Sequence, residues 1–273
     1  MRLKVYKNLQ SLVFPEWRDL PIEHGYTTRL GGQCHDPDFG SFNLSRKGID
    51  DEELLAQVQA NRRQFSDELG IPLSDMVTGK QVHSDHITII DDSFTGFDRG
   101  VDERLMENDA LITAGERMLL TWHADCVPIY YFDPENRVIA LVHAGWRGTF
   151  ARLAGKVVAE LTNSFNTNPA KLAVGIGPCA LASSYEVGEE LLTELEDIIG
   201  QAAKQYFTPI NGAEKYYLDL VALNTLFLQD QGVPLHNIVG GDCDTVTDER
   251  LFSHRRQGDR RGTNAAYIQL KNI

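Results

Sequence analysis

The side chains best suited to gripping a soft divalent cation fall in two short segments of this chain. Residues 124–149 read ADCVPIYYFDPENRVIALVHAGWRGT, two apolar runs around Asp133-Pro134-Glu135-Asn136. Aspartate first and proline second suit a type I turn, so the segment predicts a β-hairpin. With Asp133 and Asn136 facing each other, Cys126 falls directly opposite His143. Cβ atoms at such a rung stand about 4.5–5.5 Å apart on one face of the sheet. A thiolate and an imidazole at that separation can share a metal ion. They are also the pair a thiol hydrolase uses, with Cys126 as nucleophile and His143 as its base. The bland alternative is a buried cysteine acting as a small hydrophobe.

A catalytic zinc takes three protein ligands and keeps a fourth position open. The run QVHSDH at 81–86 offers His83 and His86, with Asp85 able to orient a ligating ring from behind. His123 is close to Cys126, but its odd spacing turns it to the opposite face of a straight strand, which ranks it below His83. A zinc-stabilised binding module, the non-enzymatic alternative, would close the shell with His86 or His123. Asp125 and Asp85 stand where a general acid or base is needed; for each, a structural hydrogen bond is the competing role. Arginine forks pair with phosphate oxygens bidentately, which singles out Arg29 and Arg147, then Arg255 and Arg256. Taken one at a time, each is also an ordinary solvated arginine. Trp146 can stack on a planar base or fill the core. Cys34, Cys179 and Cys243 read as packing residues, and GIGPC at 175–179 lacks the third glycine of a dinucleotide fingerprint.

The elements that must position these groups alternate along the chain. Asp50–Glu53 open a helix that Gly70 closes. Thr149 is placed to cap a second helix, whose first amides would point toward the same anion-binding region. A third spans about Val187 to Tyr206, and a fourth runs from Asp219 to Gln231, before Gly232. Short apolar strands are predicted at Met118–Thr121, Val127–Phe132, Val138–His143, Leu172–Ile176, Ile238–Gly240 and Ala266–Leu270. The hairpin rules out a purely parallel sheet. Gly31–Ser45 forms a long polar loop of the kind that carries function. Neither repeats nor a Pro/Gly/Ser-rich linker divide the chain, so residues 1–273 read as one domain.

The chain has 273 residues, with 26 Lys+Arg against 39 Asp+Glu and a net charge of −13. That balance argues against a nucleic-acid partner, which needs a basic face. No apolar run approaches the ~20 residues of a membrane span, and MRLKVYKNLQ lacks the apolar core of a signal peptide. The four cysteines are scattered without CxxC spacing, which points to a reducing, cytoplasmic setting.

QVH at 81–83, ADC at 124–126, HAGWRG at 143–148 and GIGPC at 175–179 resemble the signatures of the laccase-domain family. Further matches are TTRLGG at 27–32, FNL at 42–44, NRR at 61–63, YEVG at 185–188, LDL at 218–220 and FSHRR at 252–256, in the expected order over nearly the whole chain. Members were long called multicopper polyphenol oxidases and are described as purine nucleoside phosphorylases with adenosine deaminase activity. The resemblance implies an α+β sandwich of mixed and antiparallel sheets flanked by helices. It implies one metal, usually zinc with copper possible, held by His83, Cys126 and His143. The implied substrates are phosphate with adenosine, inosine or S-methyl-5′-thioadenosine, cleaved to the free base and a ribose 1-phosphate. Deamination of adenosine would draw on a zinc-activated water. Eight histidines without an HxH pair cannot build a multicopper cluster, so copper-dependent phenol oxidation is expected only as a side activity. This chain departs from the family in two places: His123 replaces a common threonine, and RRQGDRRGTNAA lacks the usual Thr-Gly-Arg order.

Overall fold

The computed structural model describes residues 1–91 and 107–271. In chain order the strands are β1 (Arg2–Val5), β2 (Gln10–Val13), β3 (Ile22–Thr27), β4 (Met76–Thr78), β5 (Ile87–Ile89), β6 (Ala110–Thr113), β7 (Met118–His123), β8 (Val127–Asp133), β9 (Val138–Ala144), β10 (Ala173–Ile176), β11 (Glu186–Gly188), β12 (Phe207–Pro209), β13 (Lys215–Leu218), β14 (Ile238–Gly240) and β15 (Asn264–Leu270). The helices are α1 (Glu52–Leu69), α2 (Trp146–Phe150), α3 (Leu153–Phe165), α4 (Glu189–Ile199), α5 (Leu220–Gln229) and α6 (His254–Gln257).

Strands β8 and β9 are apolar on both faces because both faces are covered. Successive side chains of a strand point to opposite sides. Tyr130, Phe132, Ile139 and Leu141 enter a core shared with Leu12, Tyr26, Leu119 and Ile268. Ile129, Tyr131, Ala140 and Val142 enter another, shared with Val157, Leu161, Leu195 and Phe227 of α3, α4 and α5. The first core lies between two six-stranded sheets, ordered β1-β2-β3-β15-β7-β4 and β14-β10-β8-β9-β6-β5. Beyond the first sheet, Met118, Leu120 and Tyr267 pack against Phe65 of α1. The layers therefore run helix, sheet, sheet, helices. Both sheets are mixed: β4 with β7, β5 with β6 and β10 with β14 are parallel pairs in otherwise antiparallel surroundings. This is the layered, helix-flanked sandwich that the family resemblance implies.

Local chemistry explains the helix ends that matched. The Asp51 carboxylate accepts from the Leu54 N–H at 2.7 Å, and Gly70 ends α1 in the left-handed region at φ 68°. Asp219 caps α5 in the same way. Other boundaries differ. Thr149 does not cap a helix; it lies inside α2, and its hydroxyl accepts from Asn224 Nδ2 at 3.0 Å, while α3 starts after a left-handed Arg152. The segment read as one helix from Val187 to Tyr206 divides into β11, α4 and a 3-10 stretch, because Gly188 caps α4 and Gly200 at φ 65° breaks it. Strands β1–β6, β12 and β13 escaped prediction, all but the six-residue β3 being only three or four residues long. In β3, Gly25 is needed because a Cβ there would lie 2.4 Å from the Tyr267 hydroxyl.

The hairpin register also differs from the sequence reading. Asp133 pairs with Val138, leaving Pro134–Arg137 as a four-residue turn. Arg137 adopts φ 53°, and the Asp133 carboxylate accepts from the Glu135 and Asn136 N–H groups, which holds the longer turn. Pro128 is thus the residue opposite His143. Cys126 is displaced by two positions from the expected rung, and a two-residue shift preserves the face.

Leu141 is fully buried between the sheets. Leu141→Ala is expected to lower stability by about 2–5 kcal/mol, read as a fall in the urea midpoint with an unchanged slope.

Candidate metal centre

The centre forms where the chain leaves β7 in one sheet and enters β8 in the other. Residues 124–126 make that crossing, with Asp125 at φ 91°. His143 stands near the end of β9, 4% exposed, and His83 sits in the loop between β4 and β5 at φ 62°. A fourth residue, Asp109, joins them. Its Oδ1 accepts from His143 Nδ1 at 2.8 Å and from the His83 N–H at 3.1 Å. Its Oδ2 accepts from the Ser84 N–H at 2.6 Å, the Ser84 hydroxyl at 2.8 Å and the Val82 N–H at 3.3 Å. A carboxylate oxygen only accepts, so Nδ1 of His143 carries a proton and Nε2 is the ring nitrogen left to face an ion.

The ligand atoms of His83, Cys126 and His143 all lie within 4.8 Å of one another, and no other such group occurs among the described residues. Cys126 Sγ is 3.9 Å from His83 Nε2. Gly145 clears the space: a Cβ there would approach His83 Cδ2 to 3.0 Å and Cys126 Sγ to 3.1 Å. Burial pushes the Cys126 thiol up, but the charge and hydrogen bonds of His143 and His83 outweigh burial and hold it below its ordinary value. Burial likewise disfavours the His143 imidazolium, but the Cys126 and Asp109 charges raise it. Asp109 is also buried, and its bonds to His143 and Ser84 keep its carboxyl low. The site thus favours a thiolate.

One sulfur and two imidazole nitrogens suit zinc. Zn–S and Zn–N bonds of about 2.3 and 2.0–2.1 Å in a tetrahedron put ligand atoms roughly 3.4–3.6 Å apart, so the trio, spread within 4.8 Å, would close around a bound ion. Three donors also leave one coordination position for water or substrate. The same donor set also accepts copper.

The other residues singled out from the sequence have these places. Both ring nitrogens of His123 are engaged within the protein: Nδ1–H donates to the Cys126 carbonyl at 3.1 Å, and Nε2 accepts from the Thr121 hydroxyl at 2.7 Å. Burial and the neighbouring His143 drive the pKa of His123 well down, so the ring is neutral. It buttresses the cysteine from behind. His86 is exposed and outside the trio. Asp85 pairs with Lys156 of α3. Asp125 accepts from the Thr245 hydroxyl and the Arg255 N–H, each at 2.6 Å. Cys179 is fully buried, and burial pushes its thiol up. Half-buried Trp146 packs on Phe150 at 5.5 Å between centroids, with the Arg147 guanidinium 4.1 Å over its ring.

The arginines separate into two groups. Arg256 spends its guanidinium on the carbonyls of Thr245, Val246, Asp248 and Leu251. Arg29 lies over Phe252 and donates to the Pro37 carbonyl at 2.7 Å, and Arg260 pairs with Asp36 and Asp38. Arg147 and Arg255, like the Cys126 thiolate, instead act electrostatically on Tyr185. The Tyr185 phenol is pushed up to about 12 by burial and by the Cys126 and Asp125 charges, with Arg255 and Arg147 acting in the other direction. Arg255 is 5.0 Å over the Tyr185 ring. The long Gly31–Ser45 loop borders a separate cavity of about 470 Å³ against the first turn of α1, and the trio does not line it.

Sequence reasoning missed Asp109 and the clearance role of Gly145. The only local sign of Asp109 is an acidic residue placed directly before the apolar run Ala110–Thr113. Asp109→Asn would keep the shape but replace one acceptor with a donor. The variant is expected to bind zinc about 10–100-fold more weakly, measured by competition with a chromogenic chelator.

Residues 23–271 match the family described as multi-copper polyphenol oxidoreductase laccase. A purine nucleoside phosphorylase of Staphylococcus saprophyticus is 30% identical over 98% of this chain and 99% of its own length. A purine nucleoside phosphorylase of Deinococcus radiodurans is 31% identical over 92% of this chain and 90% of its own. The crystal structure of the hypothetical protein YfiH from Bacillus licheniformis superposes with a TM-score of 0.88 at 29% identity, covering 98% and 99% of the two chains. With the motifs, the fold and the His–Cys–His cluster in agreement, the chain belongs to the multi-copper polyphenol oxidoreductase laccase family.

Proposed function

We propose that this chain is a zinc-dependent purine nucleoside phosphorylase, one domain acting in the cytoplasm, that also deaminates adenosine. The substrates are adenosine, inosine or S-methyl-5′-thioadenosine together with phosphate. The products are the free base and a ribose 1-phosphate, the 5-methylthio form in the last case. The observation that carries this reading is the convergence of His83, Cys126 and His143 beside the cationic Arg147–Arg255–Tyr185 wall, in a chain whose relatives bear that name. The four cysteines are free, as suits a reducing compartment.

Phosphorolysis passes through a ribosyl group with oxocarbenium character. The protein must hold phosphate against C1′ and meet the charge developing on the leaving purine. In this reading Arg147 and Arg255 hold phosphate, with Arg29 and Arg256 supporting the surrounding loops. His83, Cys126 and His143 would hold the metal, which would supply a Lewis acid when bound. The thiolate reduces the cation's net charge, and Asp109 keeps His143 in the ligating tautomer.

The thiolate–imidazolium couple of Cys126 and His143 supports a second reading, a cysteine hydrolase. Metal content separates the two. Metal-quantified protein incubated with adenosine is expected to release adenine and ribose 1-phosphate only when phosphate is present, and inosine without it. Chromatography showing neither product defeats the proposal. Cys126→Ala is expected to lose zinc and turnover together; zinc retained with turnover lost would favour the cysteine nucleophile.

A further inference from the structure

Asp125 sits beside the proposed reaction, and its environment shows a different task from proton transfer. It is 8% exposed and immediately precedes the Cys126 ligand at φ 91°, a conformation that persists only where the surroundings impose it. Three contacts do so. Oδ1 accepts from the Thr245 hydroxyl at 2.6 Å, Oδ2 accepts from the Arg255 N–H at 2.6 Å, and the main-chain carbonyl accepts from the Ala180 N–H at 2.9 Å. A general acid or base must turn an oxygen toward the reacting atoms. Here each carboxylate oxygen is already taken by a donor of the protein.

The far ends of those bonds lead to the cationic wall. The Arg255 N–H belongs to α6, while its guanidinium covers Tyr185 at 5.0 Å and donates to the Glu186 carbonyl at 2.8 Å. Thr245 is held in turn by the Arg256 guanidinium, which donates to its carbonyl at 3.0 Å. One carboxylate therefore ties the residue next to the sulfur ligand to Thr245 and to the turn that presents the arginine.

We propose that Asp125 is a positioning residue that fixes the spacing between the Cys126 sulfur and the Arg255–Tyr185 wall, so that the metal ligand and the phosphate-facing arginine are held as one rigid unit. The inference rests on the metal trio and phosphate wall of the proposed function. It adds that the two are mechanically joined and that the joint is a carboxylate outside the chemistry.

Two variants test it. Asp125→Asn keeps an oxygen for Thr245 but turns an NH2 donor toward the Arg255 N–H. Thr245→Val removes the other bond without altering the strap, and serves should Asp125→Asn fail to fold. Cobalt(II) is the probe, because its thiolate charge-transfer band reports the sulfur ligand without any turnover. In both variants that band is expected to weaken and cobalt affinity to fall about 10-fold, as for other groups that orient ligands. In phosphorolysis, KM for inorganic phosphate is expected to rise more than kcat falls. A wild-type band and affinity in both variants would overturn the proposal. So would a loss confined to kcat with one limb of the pH–rate profile missing, which would make Asp125 the acid or base. A wild-type protein that binds cobalt without a thiolate band would instead sink the metal reading, and this inference with it.

Discussion

The hydrogen bonds to the Asp109 carboxylate are the constraint on which the centre depends. A fully buried carboxylate is costly unless its oxygens are met by donors. Here the donors are the His143 ring, the Val82, His83 and Ser84 amides and the Ser84 hydroxyl. Satisfying one charge therefore sets the tautomer of one ligand and the backbone of another. It also explains why His83 can occupy φ 62°: the left-handed turn aims successive amides at the same acceptor. Asp109 precedes β6, which pairs directly with β9, so the carboxylate and His143 ride on neighbouring strands of one rigid sheet.

The centre lies on the seam between the two sheets. The chain crosses from one sheet to the other within residues 124–126, and the crossing is short enough to need a left-handed residue at Asp125. His123 supports the crossing by donating to the Cys126 carbonyl, while its burial keeps it neutral and out of competition for the ion. Both ligand-bearing loops are thus strained locally and pinned by polar contacts, while β8 and β9 beneath them are wholly buried. A rigid floor with pinned straps suits a site whose ligands must hold their spacing before the ion arrives.

Charge follows a similar division. The protein carries −13 overall, yet arginines crowd its C-terminal segment. Most of that positive charge is spent internally: Arg256 on carbonyls, Arg250 on Asp248, and Arg260 on Asp36 and Asp38. Arg255 lies over Tyr185 and Arg147 over Trp146. Counting basic residues along the chain would overstate the positive charge left uncommitted.

Residue types and strand alternation, read from the sequence alone, determined that Cys126 and His143 share a face of one hairpin. They also determined where α1 and α5 begin, since caps and period-2 patterning depend on residues a few positions apart. The predicted rung was off by two positions, yet the face survived because the side-chain period is two. Tertiary structure alone decided that Asp109 reaches from before β6 to both His83 and His143, and that Asp125 faces Thr245 and Arg255. It also decided that Arg256 turns inward while Arg255 covers Tyr185. These contacts join residues far apart in the chain, and only the packing of two sheets face to face, with the loops that packing closes, brings such residues together.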